Sequence, residues 1–530
     1  MRFVTKVVGL ILALALLAPG AALAGGTLNI HSDVEVVSLD STIATDGFSF
    51  DVMTQIIEPL YRLDAAGVPV LAAAESVEKS ADGLTYTFKI RDAQWSNGTP
   101  VTANDFVFAW RKLVNPATAS EYNFIMGIAG VKNAQAIIDG TVPPEELGVT
   151  AADDKTLVVS LDRPIPFFES LMSFASFYPI NEEFFTAAGD KYGTSPDTVI
   201  ANGPFKITSY EPAALTIALV KNETYWDAAN VSLDGLTYKV IKDMQQAMLV
   251  YESGDLDVAI LSGDQVELYQ DEPEFTQIAE GYLWYITDLH TVPGLDNLNI
   301  RKALALSYDK EAIVSSILKD GSIAADFAVP TGFATGPDGK DYRDGTPVYL
   351  ETDKEKALEY WTAGLAELGV DSLTFSLIVE DAEPSPRVGE FLQAEWQTAL
   401  PGLTIELQVM PKKSRLQYIR EFDYQLSLTR WGPDYADPMT YLDLWTTVES
   451  TQKWSNAEYD AIIESAKTGE LSLDPAARWE ALKKAEGLLL DDAAIFPVYQ
   501  KGAARMINAN VSGVEYHAVG HPGYKNAEKK

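Results

Sequence analysis

Cysteine is absent from all 530 residues. Its absence rules out disulfides, thiolate metal sites and a lipid anchor attached through cysteine. Histidine occurs only as His31, His290, His517 and His521, too scattered for a local metal signature. No metal and no cofactor is expected. Basic residues are scarce beside acidic ones, 40 against 76, for a formal net charge of −36. So acidic a chain lacks the basic footprint that a phosphate backbone requires, which excludes nucleic acid as a partner. No apolar run reaches the roughly 18 residues of a spanning helix. Nucleophile elbow, phosphate-binding Gly-Lys-Ser/Thr loop and dinucleotide Gly-x-Gly-x-x-Gly fingerprint are all missing. Among so many carboxylates some pair always resembles a glycosidase dyad, so that pattern has no specificity. The absences point to binding rather than catalysis.

The first feature present is an address. Arg2 and Lys6 precede an apolar run at 7–18, and Ala22-Leu23-Ala24 supplies small residues at the recognition positions. This reads as a secretory signal cleaved after Ala24. Removing 24 of 530 residues, Arg2 and Lys6 among them, takes the net charge from −36 to −38. Gly26 stands where a lipidated cysteine would be needed, so a soluble protein of an envelope compartment is expected. The mature length implies two to four domains.

Period-two alternation predicts strands at 84–90, 157–161, 214–220, 236–241, 373–379 and 403–409. Thr102 opens a Thr-x-x-Asp capping pattern before Phe106, Val107 and Trp110. Asp353 caps a helix predicted to bury Leu358, Trp361, Leu365 and Leu368 on one face, with Gly369 ending it. A further amphipathic helix is predicted at 475–490. Strands and helices interleave as in lobed α/β proteins.

One decapeptide stands out: Arg430-Trp431-Gly432-Pro433-Asp434-Tyr435-Ala436-Asp437-Pro438-Met439. It follows a strand-like run at 424–428 and sets a carboxylate three residues after a large aromatic, with a Gly-Pro turn between them. Such a carboxylate suits an ammonium group, and the strand end before it can pair with an extended ligand. The plain alternative is a strand-to-helix turn, with Asp437 capping a helix that carries Tyr441, Leu442, Leu444 and Trp445.

Several motifs fall in order along the chain. They include Ala74-Glu75-Ser76, Asp82-Gly83-Leu84-Thr85-Tyr86-Thr87-Phe88, Trp95-Ser96-Asn97-Gly98-Thr99-Pro100, Pro164-Ile165-Pro166-Phe167-Phe168, Asn202-Gly203-Pro204-Phe205 and Asn299-Ile300-Arg301-Lys302-Ala303-Leu304. With the decapeptide, they make the chain resemble extracellular solute-binding proteins of the peptide class, most closely the periplasmic oligopeptide-binding proteins of ABC importers. By their own chemistry most are structural: a strand, a turn, a helix cap, a chain crossing.

The resemblance implies an α/β, bilobal binding protein with a third inserted domain and a cleft between the lobes. The expected divisions are residues 25–57, 201–290 and 497–530 for lobe I, 58–200 for its inserted domain and 291–496 for lobe II, with hinges near His290 and Pro497. It implies a periplasmic, non-enzymatic monomer that captures short peptides and hands them to membrane permease subunits. Nickel chelates or sugars, and an exported hydrolase, are the alternatives. Asp434 would hold the peptide α-amino group, with Trp431 in the cleft wall. Arg430 and Gly432 would offer backbone groups to the ligand, and Tyr499 and Tyr122 match aromatic cleft positions. The basic residues that receive peptide carboxyl termini in relatives are not recognisable; Lys412, Lys413, Arg415, Arg420 and Arg430 stand nearby.

Overall fold

A computed structural model describes residues 25–210, 215–382 and 384–530. The expected signal at 1–24 lies outside the described residues. Every strand predicted by alternation forms: Thr85–Ile90, Thr156–Ser160, Thr216–Lys221, Gly235–Val240, Leu373–Glu380 and Leu403–Met410. They belong to two main sheets. Ala74–Lys79, Thr85–Ile90, Thr156–Ser160 and Val149–Asp153 make a four-stranded antiparallel sheet. The larger sheet has 11 strands and runs from Leu403–Met410 at one edge to Phe205–Ser209 at the other.

Two long strands, Phe275–Asp288 and Phe496–Ile507, pair antiparallel at the middle of the large sheet. Residues 505–507 continue it through Val258–Ile260, whereas 283–288 continue it through Leu426–Trp431. Their mutual register shifts between Ala279 and Leu283. This bulge precedes the expected hinge near His290. Leu289 and His290 already donate their N–H groups to Gln425 and Gln452, at 2.9 and 2.8 Å.

Helix boundaries follow their caps. Thr102 is the N-cap of Ala103–Val114. The Asp105 carboxylate accepts the Thr102 N–H at 2.8 Å and the Trp95 indole N–H at 3.1 Å. Asp353 caps Lys354–Leu368, and Gly369 ends it in the left-handed conformation. The predicted buried face of that helix needs correction. Leu358 is exposed, Leu365 and Leu368 are half-buried, and the buried residues are Ala357, Trp361 and Gly364. Close packing explains this, because a Cβ on Gly364 would come 2.7 Å from Ile300 Cδ1. Two small side chains, Ala357 and Gly364, flank the buried Trp361 on that face and let the neighbouring helix approach closely.

Asn202-Gly203 lies beside 56–58. The Asn202 side chain accepts the Glu58 N–H at 2.8 Å and donates to the Glu58 carbonyl at 3.2 Å. A Cβ on Gly203 would lie 2.8 Å from the Ile56 carbonyl carbon.

Candidate functional site

One edge of Leu426–Trp431 pairs with Phe275–Asp288 along its whole length. The other meets Leu373–Glu380 only at Leu426 and Ser427. From 428 to 431 this second edge has no strand partner among the described residues. The strand runs three residues past the apolar stretch that predicted it.

Beyond Trp431 the chain turns at Gly432, where a Cβ would collide with the Tyr282 ring. The half-buried Asp434 follows, its N–H donating to Thr440 Oγ1 at 3.2 Å. Among the described residues its carboxylate has neither a hydrogen bond nor an ion pair. Burial pushes that carboxyl up to about 6, with no neighbouring cation to hold it down. Asp437 differs. It accepts the Met439 N–H at 2.9 Å and receives both terminal nitrogens of buried Arg478 at 2.8 Å. The helix expected after it is short, Met439–Leu442, and passes into a tighter turn at Asp443–Trp445.

Asp434, unlike Asp437, faces a cleft of about 1120 Å³. Asp434, Trp431, Arg430, Gly432 and Tyr122 all line it. Tyr122 stands in an aromatic wall, with the rings of Phe50, Phe124 and Phe174 at 5.5–5.9 Å. Burial, and then the charge of Asp434, pushes its hydroxyl up to about 12, so the two residues share one space. Trp431 both lines the cleft and packs on the core.

Tyr499 is the misplaced expectation, because it does not line the cleft. It belongs to a strand paired on both sides, and its buried ring stacks 5.5 Å from that of Trp284. The Arg430 guanidinium lies over Trp284 at 5.1 Å. Tyr499 thus supports the wall from behind.

Of the nearby basic residues, Arg415 is committed to Thr429 Oγ1 at 2.7 Å and Glu380 at 3.2 Å. Lys412, Arg420 and Arg430 line the cleft with no carboxylate partner among the described residues, and Lys413 is outside the wall. His517 and His521 also line it, His521 Nδ1 lying 2.6 Å from Asp51 Oδ1. Among the described residues no group of three or more His, Cys, Asp or Glu could hold a metal ion.

Sequence reasoning missed Phe50, Ser170, Phe174, Tyr282 and Tyr285 in the wall. Tyr282 and Phe124 are large aromatics left 42% and 43% exposed. That signal appears only once burial is known.

A family model described as bacterial extracellular solute-binding proteins, family 5 Middle, matches residues 68–453. The dipeptide-binding protein of Lactococcus lactis is 35% identical over 503 residues, spanning 92% of this chain and 91% of that protein. The oligopeptide-binding protein OppA of Bacillus subtilis is 32% identical over 519 residues, spanning 94% and 92%. Among solved structures, Listeria monocytogenes OppA bound to peptide is similar at a TM-score of 0.75 and 36% identity, over 96% of this chain and 99% of that one.

Proposed function

Because the chain belongs to the bacterial extracellular solute-binding proteins of family 5, we propose that it captures short peptides for an ABC importer and delivers them to its membrane permease subunits. The observation that carries this reading is the strand edge at 428–431, open among the described residues, which ends beside the carboxylate of Asp434, itself unpaired among them. An extended peptide laid on that edge bonds through its main chain, with Arg430 and Gly432 supplying backbone partners. Its terminal ammonium meets Asp434, while Tyr122 and Trp431 wall the side-chain pockets. Capture is reversible and involves no bond making or breaking.

The working protein is a soluble periplasmic monomer, exported by the signal at 1–24. Among the described residues no helix is long and apolar enough to cross a membrane. The domain division follows the same reading: 25–57, 201–290 and 497–530 form lobe I, 58–200 its inserted domain and 291–496 lobe II. The side-by-side crossings at 56–58 and 202–203 support the insertion. A hinge near His290 is supported by the register shift between Ala279 and Leu283, a few residues before it.

A thermodynamic cycle tests the reading. Asp434→Ala and N-terminal acetylation of the peptide should each weaken binding by about 30-fold or more, as for one partner lost from a desolvated pair (roughly 2–5 kcal/mol). Combined, they should cost little more than either alone, because both delete one interaction. Full additivity would remove Asp434 from the site.

A further inference from the structure

The segment Pro164-Ile165-Pro166-Phe167-Phe168 lies within residues 58–200, yet its end reaches the Asp434 turn. The Phe167 ring lies flat against that of Tyr435, centroids 4.2 Å apart and planes 10° apart. Ser170, in the short helix Phe168–Leu171, accepts the Ala436 N–H on its Oγ at 3.1 Å. Tyr435 and Ala436 are the two residues directly after Asp434. Phe167 also lies 6.0 Å beneath the Arg478 guanidinium, which pairs with Asp437. The segment is anchored in turn, since fully buried Phe168 packs 4.4 Å from Tyr86 in Thr85–Ile90. A line of contacts therefore runs from the four-stranded sheet through Phe168 and Phe167 to the ammonium receptor.

On its own element, the Asp434 turn has few restraints. The Asp434 N–H reaches Thr440, and the Asp437 N–H returns to the Tyr435 carbonyl at 2.9 Å. Neither bond fixes the direction of the Tyr435 ring or satisfies the Ala436 N–H. A charge-assisted contact depends on sub-ångström placement, so whatever fixes 435–436 also sets how well the carboxylate meets its partner. We propose that Phe167 and Ser170 are positioning residues of the ammonium subsite, which is thereby built jointly by residues 58–200 and 291–496. They touch Tyr435 and Ala436, and act on the ligand through Asp434.

The inference rests on the peptide reading, and the experiment separates the two. Calorimetry measures one short peptide with a free and an acetylated amino terminus against wild type, Phe167→Leu, Ser170→Ala and Ser170→Thr, with thermal unfolding to verify folding. In wild type the acetylation penalty should be about 30-fold or more. In Phe167→Leu and Ser170→Ala it should shrink at least about threefold, and in Phe167→Leu, whose ring does not line the cleft, affinity for the acetylated peptide should stay within about twofold. Ser170→Thr keeps the hydroxyl and should restore the penalty. Equal weakening of both peptides, or an unchanged penalty in folded variants, overturns the positioning role. A wild-type penalty near one instead overturns the Asp434 assignment, and the inference with it. If Phe167→Leu fails to fold, the Ser170 pair decides alone.

Discussion

Asp434 and Asp437 bring the same functional group into the same turn and meet different surroundings. Asp437 is buried against Arg478 and the Met439 N–H. Asp434 faces the cleft with no hydrogen-bond or ion-pair partner for its carboxylate among the described residues, and burial raises its carboxyl to about 6. Only the ionised carboxylate attracts an ammonium. Affinity for a free-amino peptide should therefore be highest near pH 7, where the carboxyl is ionised and the peptide's α-amino group, ordinarily about 7.7–8.0, is still protonated, and should fall as pH drops through 6, by up to about tenfold per pH unit. Calorimetry between about pH 5 and 8 checks this, with an N-acetylated peptide as the control that should show no such fall. Asp437→Ala should act on stability instead, because it leaves the Arg478 charge buried and unpaired at a cost of about 3–5 kcal/mol. Denaturant unfolding reads that loss; a change below about 1 kcal/mol would mean the ion pair contributes no more than a helix cap. At this scale the sequence set the two carboxylates apart as expectations, without their partners. Asp437 before Pro438 reads as a cap, but Arg478 lies 41 residues away and no local pattern connects them.

At the scale of elements, strands were legible because alternation reports two faces of a sheet, and their predicted ends held to within about two residues. The helix Lys354–Leu368 was legible in its caps, Asp353 and Gly369, and in its buried Trp361, but not in the rest of its face. Capping is a local matter. The buried face was chosen by Ile300 on a neighbouring helix, against which only a glycine fits at 364. Gly281 was equally invisible. It sits in the bulge between Ala279 and Leu283, donates to the Ala518 carbonyl at 2.9 Å and accepts from the Tyr441 hydroxyl. A Cβ there would come 2.6 Å from Pro433 Cγ, next to Asp434. Gly281→Ala should cost about 1–3 kcal/mol by overpacking and push the Asp434 turn out of place. Thermal unfolding and peptide titration should therefore both worsen; unchanged peptide affinity would show that the bulge does not govern the site.

Over the whole molecule, the cleft collects residues from about 45 to 526, so its wall could not be read from any one segment. The stretch that carries both the strand edge and the carboxylate, 428–434, was compact enough to be read as a local pattern, whereas Tyr122 was reached through the resemblance alone. An open main-chain edge recognises a peptide backbone whatever its side chains, and hydrated pockets can adapt to varied side chains at modest cost. The molecule should consequently retain a mixture of sequences. The most direct measurement incubates purified mature protein with a mixed pool of short peptides, removes unbound material and identifies the released ligand by mass spectrometry. The account predicts intact peptides with free amino termini and varied side chains. Cleaved products, or a bound metal or sugar with no peptide recovered, would contradict it.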